Sequence, residues 1–201
     1  MKKVFVYNME NGYEYDPYKY THLRAYHGTR CIDEKSFKAE GIRTFSNEER
    51  KEQVLKMCDL LELGTMQRKC VMDAFDKVCE SYSGAGSLSK VWLSCTKKQL
   101  LERAGHYLIY GSEFIIAAFN NGLHYFDNLA SIGVPTIIAC DVPIDSIDTN
   151  IWLPSMCDGM NRGDMDVCFP VASVKPEDIV GFEYPTEIVD PYTQRVYHFN
   201  N

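Results

Sequence analysis

The chain has 201 residues, 45% of them hydrophobic and 12% aromatic, enough for one domain with a real core and far too apolar for a disordered segment. Lys and Arg number 21 against 28 Asp and Glu, and the resulting charge of −7 is spread along the chain without blocks. A surface built to follow a phosphate backbone is therefore not expected, and charge disfavours nucleic acid as a partner.

From the N-terminus, VFVYN reads as a strand and the tyrosine-rich GYEYDPYKYTH as an arm, so 1–22 form a leading strand and arm within a single domain spanning 1–201. Leu23 to His27 reads as a short strand ending at Gly28-Thr29, Asp33 to Glu40 as one or two helical turns closed by Gly41, and Thr44 to Ser46 as an extended piece. Ser46 with Glu49 has the form of a capping box, and Val54, Met57, Cys58 and Leu61 recur at helical spacing until Gly64. A second helix runs from about Met66 to Ser81 and ends in SYSGAGS.

Val91 to Cys95 is a strand, Thr96 caps a short helix KKQLLERA, and Tyr107 to Phe119 reads as one longer apolar helix. Thr136–Val142, Val167–Val174, Ile179–Tyr184 and Arg195–Phe199 are β-branched runs separated by Pro, Asp and Gly turns. One strand, then helices, then mostly strands gives an α+β fold with helices packed on an antiparallel or mixed sheet. The absence of βαβ alternation argues against a doubly wound nucleotide fold.

Eight cysteines are scattered so that no two lie within eight positions of each other, and no zinc-ligand spacing results. Cys58 in VLKMCDLL and Cys140 in TIIAC read as small core hydrophobes. With no basic-then-apolar leader, this cysteine usage points to a reducing, cytoplasmic compartment. The weakly charged stretch 104–126 contains Glu113, two His, two Asn and three Gly, a buried helix in composition and not a membrane span.

Neither GxGxxG, GxxxxGK[ST], HExxH nor GxSxG is present, which removes most of the support for Rossmann dehydrogenases, P-loop NTPases, zincins and α/β-hydrolases. Asp158, Asn161, Asp164 and Asp166 carry oxygen ligands on one segment but lack the EF-hand order, so the segment reads as a solvated loop and no metal is expected. Cys95 with His106, or Cys31 near His27, is the combination that thiolate catalysis would use, with nothing local to single out a nucleophile.

What stands out is Tyr26-His27-Gly28-Thr29-Arg30, followed by Gly41-Ile42, with Gly41 fourteen positions after His27. Here the sequence resembles the ADP-ribosyltransferases of the H-Y-E type, the group of the poly(ADP-ribose) polymerase catalytic domains and diphtheria-toxin-like enzymes. The resemblance covers the order of elements over 23–184 and implies a split sheet, with NAD as substrate and ADP-ribose transferred to a macromolecular acceptor, a protein. It also implies a toxin or effector role. In that family the histidine contacts a ribose hydroxyl, a role for His27, and the neighbouring glycine lets the nicotinamide carboxamide reach the backbone, a role for Gly28, with Thr29 supporting the loop.

A tyrosine after the middle strand then packs on nicotinamide, for which Tyr107 and Tyr110 stand in order, with Ser94 or Thr96 as hydrogen-bonding neighbours and Trp92 or His106 as substitutes. Tyr107, Tyr110 and Phe114 equally fit a core-facing helical stripe. The family's catalytic glutamate opens a late strand. This chain has aspartates there, which makes Asp166 the first candidate by order and Glu113 the second, because an acid beside Phe114-Ile115-Ile116 is costly to bury unpaired. Two alternatives share the fold: an inactive module that binds NAD, ADP-ribose or a protein, and an RNA 2′-phosphate transferase, for which Arg24, Arg30, Arg43 and Arg162 are few and dispersed.

Overall fold

The computed structural model describes residues 2–11, 16, 19–82, 90–123 and 126–200. Most of the tyrosine-rich arm and the Gly-rich segment after the second helix lie outside these. The centre is a pair of long strands, β2 (His22–Cys31) and β5 (Val134–Pro143), which pair antiparallel over their whole lengths, from His22↔Pro143 to Cys31↔Val134. β5 is buried at eight of its ten positions, as a strand covered on both faces must be.

β2 does not end at Gly28-Thr29 as its composition suggests. The unbroken ladder with β5 carries it three residues past His27 and Gly28, so the His-Gly-Thr triplet is interior to a strand. Gly28 is buried there against Leu100 and Leu108. An added Cβ would lie 3.1 Å from Leu100 and 3.4 Å from Leu108, which gives the glycine a packing role.

The other edge of β2 is shared. Strand β1 (Val4–Phe5) pairs parallel at His22 and Leu23, and β4 (Val91–Ser94) meets it at one position, Tyr26↔Ser94. Beyond that bridge, 27–31 have no strand partner on this edge among the described residues. β4 continues antiparallel into β6 (Cys168–Val171), and β5 into β8 (Ile179–Glu183), giving the order β6-β4-β2-β5-β8 with β1 beside β2. Two smaller antiparallel pairs complete the strands: β3 (Ile42–Arg43) with β7 (Ser173–Val174), and β9 (Glu187–Val189) with β10 (Val196–His198).

Among the described residues, eight helices pack on the sheet: α1 (Lys35–Glu40), α2 (Asn47–Leu60), α3 (Thr65–Tyr82), α4 (Lys97–Glu102), α5 (His106–Ile109), α6 (Glu113–Leu123), α7 (Phe126–Leu129) and α8 (Trp152–Asn161). The Ser46–Glu49 capping box forms in full, and Thr96 caps α4 by accepting from the Gln99 amide. The apolar stretch after Tyr107 is two helices. Gly111 at φ 99 breaks it, a conformation that a residue with a side chain rarely adopts. α8 replaces the expected solvated loop up to Asn161.

Alternation along the sheet sorts the core into two clusters. Leu23, Ala25, Leu93, Ile138, Cys140 and Phe169 meet Met156 and Met160 of α8 on one face. Ile137 meets Leu100, Leu108, Ile109, Tyr110 and Phe119 of α4–α6 on the other, backed by Val54, Cys58, Val71 and Phe75 of α2 and α3. The molecule is thus a single α+β domain on a mostly antiparallel sheet. No helix among the described residues is long and apolar enough to cross a membrane.

Candidate functional site

β2 and β4 are joined at the single position Tyr26↔Ser94. Next to it His27, half-buried, has Nδ1 3.1 Å from the carbonyl oxygen of Trp92 on the far strand. Burial lowers its pKa below the usual histidine range, against the opposing pull of that carbonyl, so at neutral pH the ring is neutral and Nδ1 is the donor. His27 has the parity of Leu23 and Ala25 and the register of Ile138, which places its ring on the α8 face. Gly28 faces α4 and α5 on the opposite side.

On the α5 side of this junction lies a polar cluster. Ser94 does not face outward: its hydroxyl donates to the Thr96 carbonyl at 2.7 Å and accepts from the Thr96 amide at 3.1 Å, closing the turn into α4. Thr96 in turn donates to the Met165 carbonyl at 2.9 Å. Cys168, in register with Ser94, is hydrogen-bonded by the Gln99 side chain and lies within the field of Asp166. Tyr107 lies near Cys168 from the other direction, and its hydroxyl donates to Glu113 Oε1 at 2.8 Å. Burial, with Glu113 beside it, pushes the Tyr107 phenol far above its ordinary pKa.

Beside Tyr107, the ring of His106 packs at 4.1 Å between centroids. Both His106 ring nitrogens and Gln99 Oε1 are buried with no hydrogen-bond partner among the described residues. Buried polar atoms are nearly always satisfied, so three orphans around one tyrosine mark a place where the fold tolerates a cost.

The structure therefore brings Ser94, Gln99, His106, Tyr107, Glu113 and Cys168 together, with Asp166 at their border. Tyr110 is not among them. It is 1% exposed, and its hydroxyl donates to Asp190 Oδ2 at 2.9 Å and contacts the Tyr197 hydroxyl at 3.0 Å, so its ring has no face open to a ligand and it belongs to the core. Glu113 is an exposed acid in the first turn of α6, where the helix dipole favours it, and the expectation of a carboxylate strained by burial does not hold. Asp166 is exposed in the turn before β6, which begins at Cys168. Thr29 is half-buried opposite Thr136 in the β2–β5 ladder.

A carboxylate the sequence reading missed is Glu187, the first residue of β9 and so a glutamate that opens a late strand. β9 packs directly on α5: an added Cβ at Gly105 would lie 2.1 Å from the Val189 carbonyl oxygen. Glu187 is exposed, with His198 Nδ1 3.9 Å from its carboxylate. The signal was present in the Thr-Glu-Ile-Val run, masked by its shortness.

The other readings lose their residues. Burial pushes the Cys95 thiol far up and also raises Cys31, so neither is poised as a thiolate. Asp158 lies within α8, Asp164 is bound by Arg162 at 2.7 Å, and no three His, Cys, Asp or Glu converge on a metal position among the described residues. Each arginine that a phosphate site would need is committed: Arg24 to Asp141, Arg43 to Glu40 and Glu49, Arg162 to Asp164, and Arg30 to backbone carbonyls. No known protein family, curated protein or solved structure matches this chain.

Proposed function

We propose that the chain binds NAD beside the junction of β2 and β4, cleaves its nicotinamide–ribose bond and transfers ADP-ribose to a protein acceptor. The observation that carries this reading is the one-bridge junction at Tyr26↔Ser94, which leaves the edge of His27-Gly28-Thr29 without a strand beside the Tyr107 cluster. A strand edge offers backbone donors and acceptors to a planar carboxamide, and a neutral His27 offers a ring nitrogen to a ribose hydroxyl. In the reaction the C1′–N bond breaks and its electron pair leaves with neutral nicotinamide. The positive charge that develops on the ribose is stabilised by a carboxylate acting through a ribose hydroxyl, the acceptor's lone pair forms the new bond at C1′, and the acceptor's proton is released to water.

A second reading, a module that binds NAD or ADP-ribose without turnover, is favoured by a specific observation. Asp166, Glu113 and Glu187 are all exposed, and Glu113 is already engaged as the acceptor of the Tyr107 hydroxyl's hydrogen bond. A carboxylate in water stabilises developing charge far less than one in a dry site.

Thermal unfolding with millimolar NAD tests the shared part of both readings. A ligand that binds only the folded state stabilises it by RT ln(1 + [L]/Kd), about 2.7 kcal/mol at a hundredfold excess over Kd. The expected result is a raised Tm with NAD in the wild type and no rise in His27→Ala measured against that variant's own ligand-free Tm. No shift in the wild type rejects NAD binding. Nicotinamide release, measured in cell lysate for Asp166→Asn, Glu113→Gln and Glu187→Gln, then identifies the carboxylate as the variant that binds NAD but does not turn over. Wild-type protein that binds NAD and releases no nicotinamide in any lysate is the binding module.

A further inference from the structure

His106 opens α5 at the place where that helix meets the C-terminal hairpin of β9 and β10. The rings of Tyr107, at 4.1 Å between centroids, and of Tyr192 on the hairpin turn, at 5.1 Å, both lie against its ring. The backbones are equally close, since Gly105 has no room for a Cβ under the Val189 carbonyl of β9. Ile188, 1% exposed, fastens the hairpin to the core beside them. The imidazole is thus closed in at the joint of helix and hairpin, and neither of its nitrogens has a hydrogen-bond partner among the described residues.

The groups around the ring leave a proton on it without a partner. Tyr107 of α5 donates its hydroxyl to Glu113 of α6, which is exposed. Asp190 of the hairpin, wholly buried, accepts from the Tyr110 hydroxyl at 2.9 Å, the Tyr192 amide at 3.0 Å and the Thr193 hydroxyl at 2.6 Å. α4 brings the uncharged Gln99, β5 brings Ile137, and Arg30 of β2 is held further along α5 on the Leu108 carbonyl. Burial outweighs the pull of Glu113 and Asp190 and keeps the folded ring neutral. His198 of β10 acts in the opposite sense: it is exposed, 3.9 Å from Glu187 of β9, and a proton there tightens the hairpin.

A charged imidazole needs water or a partner, and lifting the hairpin supplies the water. α5 itself is held on the sheet, where Leu108 packs on Gly28, whereas β9 and β10 pair over three residues. We propose that the β9–β10 hairpin is an acid-released flap, latched to α5 around an uncharged His106 and freed when that ring takes a proton. The inference stands apart from the NAD reading. With the hairpin lifted the ring titrates near its ordinary value of about 6.5, above its value when latched, so the lifted form binds more protons and gains as pH falls. Between pH 7.5 and pH 5 one histidine raises the lifted population by at most about thirtyfold.

Hydrogen exchange of the whole chain at pH 7.5 and pH 5, read by peptide and corrected for intrinsic rates, tests it. In the wild type, protection over 187–198 is expected to fall by at least about threefold, and by more than in β5, whose amides report global unfolding. His106→Phe, which keeps a flat ring, and His106→Gln, which keeps a polar side chain, each reduce that fall to under about threefold, while His198→Gln retains it. A wild-type fall under about threefold, or one equalled in β5, overturns the flap. So does a fall that persists in both His106 variants or disappears in His198→Gln.

Discussion

At the residue scale the two histidines near the site are held neutral by the fold. Burial is the leading cause in both. The Trp92 carbonyl opposes it at His27, as do Glu113 and Asp190 at His106. Because each folded pKa lies below the unfolded value of about 6.5, the unfolded chain binds more protons as pH falls through that value, and stability falls with it. Urea unfolding between pH 8 and 5 is expected to show stability declining toward acid, by at most about 1.4 kcal/mol per pH unit for each histidine. His27→Gln removes part of that slope. A wild-type stability that rises from pH 7 to pH 5 contradicts the neutral assignment. Glu49 titrates elsewhere: Arg43 holds its carboxyl near 2, so its contribution is present above the usual carboxylate range and is lost only below it.

At the element scale the joint that matters is made by Arg30. Its guanidinium donates to the carbonyls of Ile132 at 2.5 Å, Gly133 at 3.0 Å and Leu108 at 3.1 Å, also to Ala130, and lies 4.8 Å from the Phe199 ring centroid. One strand residue thereby fastens α5, the turn into β5 and the chain after β10. Burial lowers its pKa to about 10, still well above neutrality, so the charge stays on the carbonyls. Arg30→Lys supplies three donors from a point and cannot span four carbonyls, leaving at least one unsatisfied. The expected loss is about 1–3 kcal/mol, read as a lower urea midpoint with an unchanged m-value. A loss under about 0.5 kcal/mol implies that water reaches those carbonyls.

This scale also shows what local sequence carries. The caps at Ser46 and Thr96 and the stop at Gly41 act through one or two neighbours, and α1, α2 and α4 begin and end close to where those residues place them. α8 is opaque for the opposite reason: Ile151 stands at its N-cap without a side-chain bond, and Pro154 and Gly159 lie inside it. Its stability comes from Met156 and Met160 on the sheet. The extension of β2 through Gly28 is likewise set by β5, more than a hundred residues away. Of the site, Tyr107 and His27 were legible as residues. The Tyr107–Glu113 bond, the orphaned Gln99 and Glu187 depend on elements that meet only in the folded chain.

At the scale of the whole molecule one sheet serves two cores, and β2 and β5 are the strands that touch both. Opening either requires loss of both clusters, whereas the β3–β7 and β9–β10 pairs span two and three residues. Native-state hydrogen exchange is expected to be slowest in β2 and β5, at the free energy of global unfolding, and fastest in the two small pairs. The unpartnered edge at 27–31 is predicted to exchange faster than the β5-facing amides of the same strand. Uniform protection across β2 contradicts an open edge.

The chain has two tryptophans, Trp92 and Trp152, and they form one edge-to-face pair with centroids 5.2 Å apart. Trp92 is 40% exposed, and its carbonyl is the one that His27 holds. The entire indole emission of the protein thus originates from one spot beside the β2–β4 junction. The molecule carries its own optical gauge of that junction, and any change in it is read without a label.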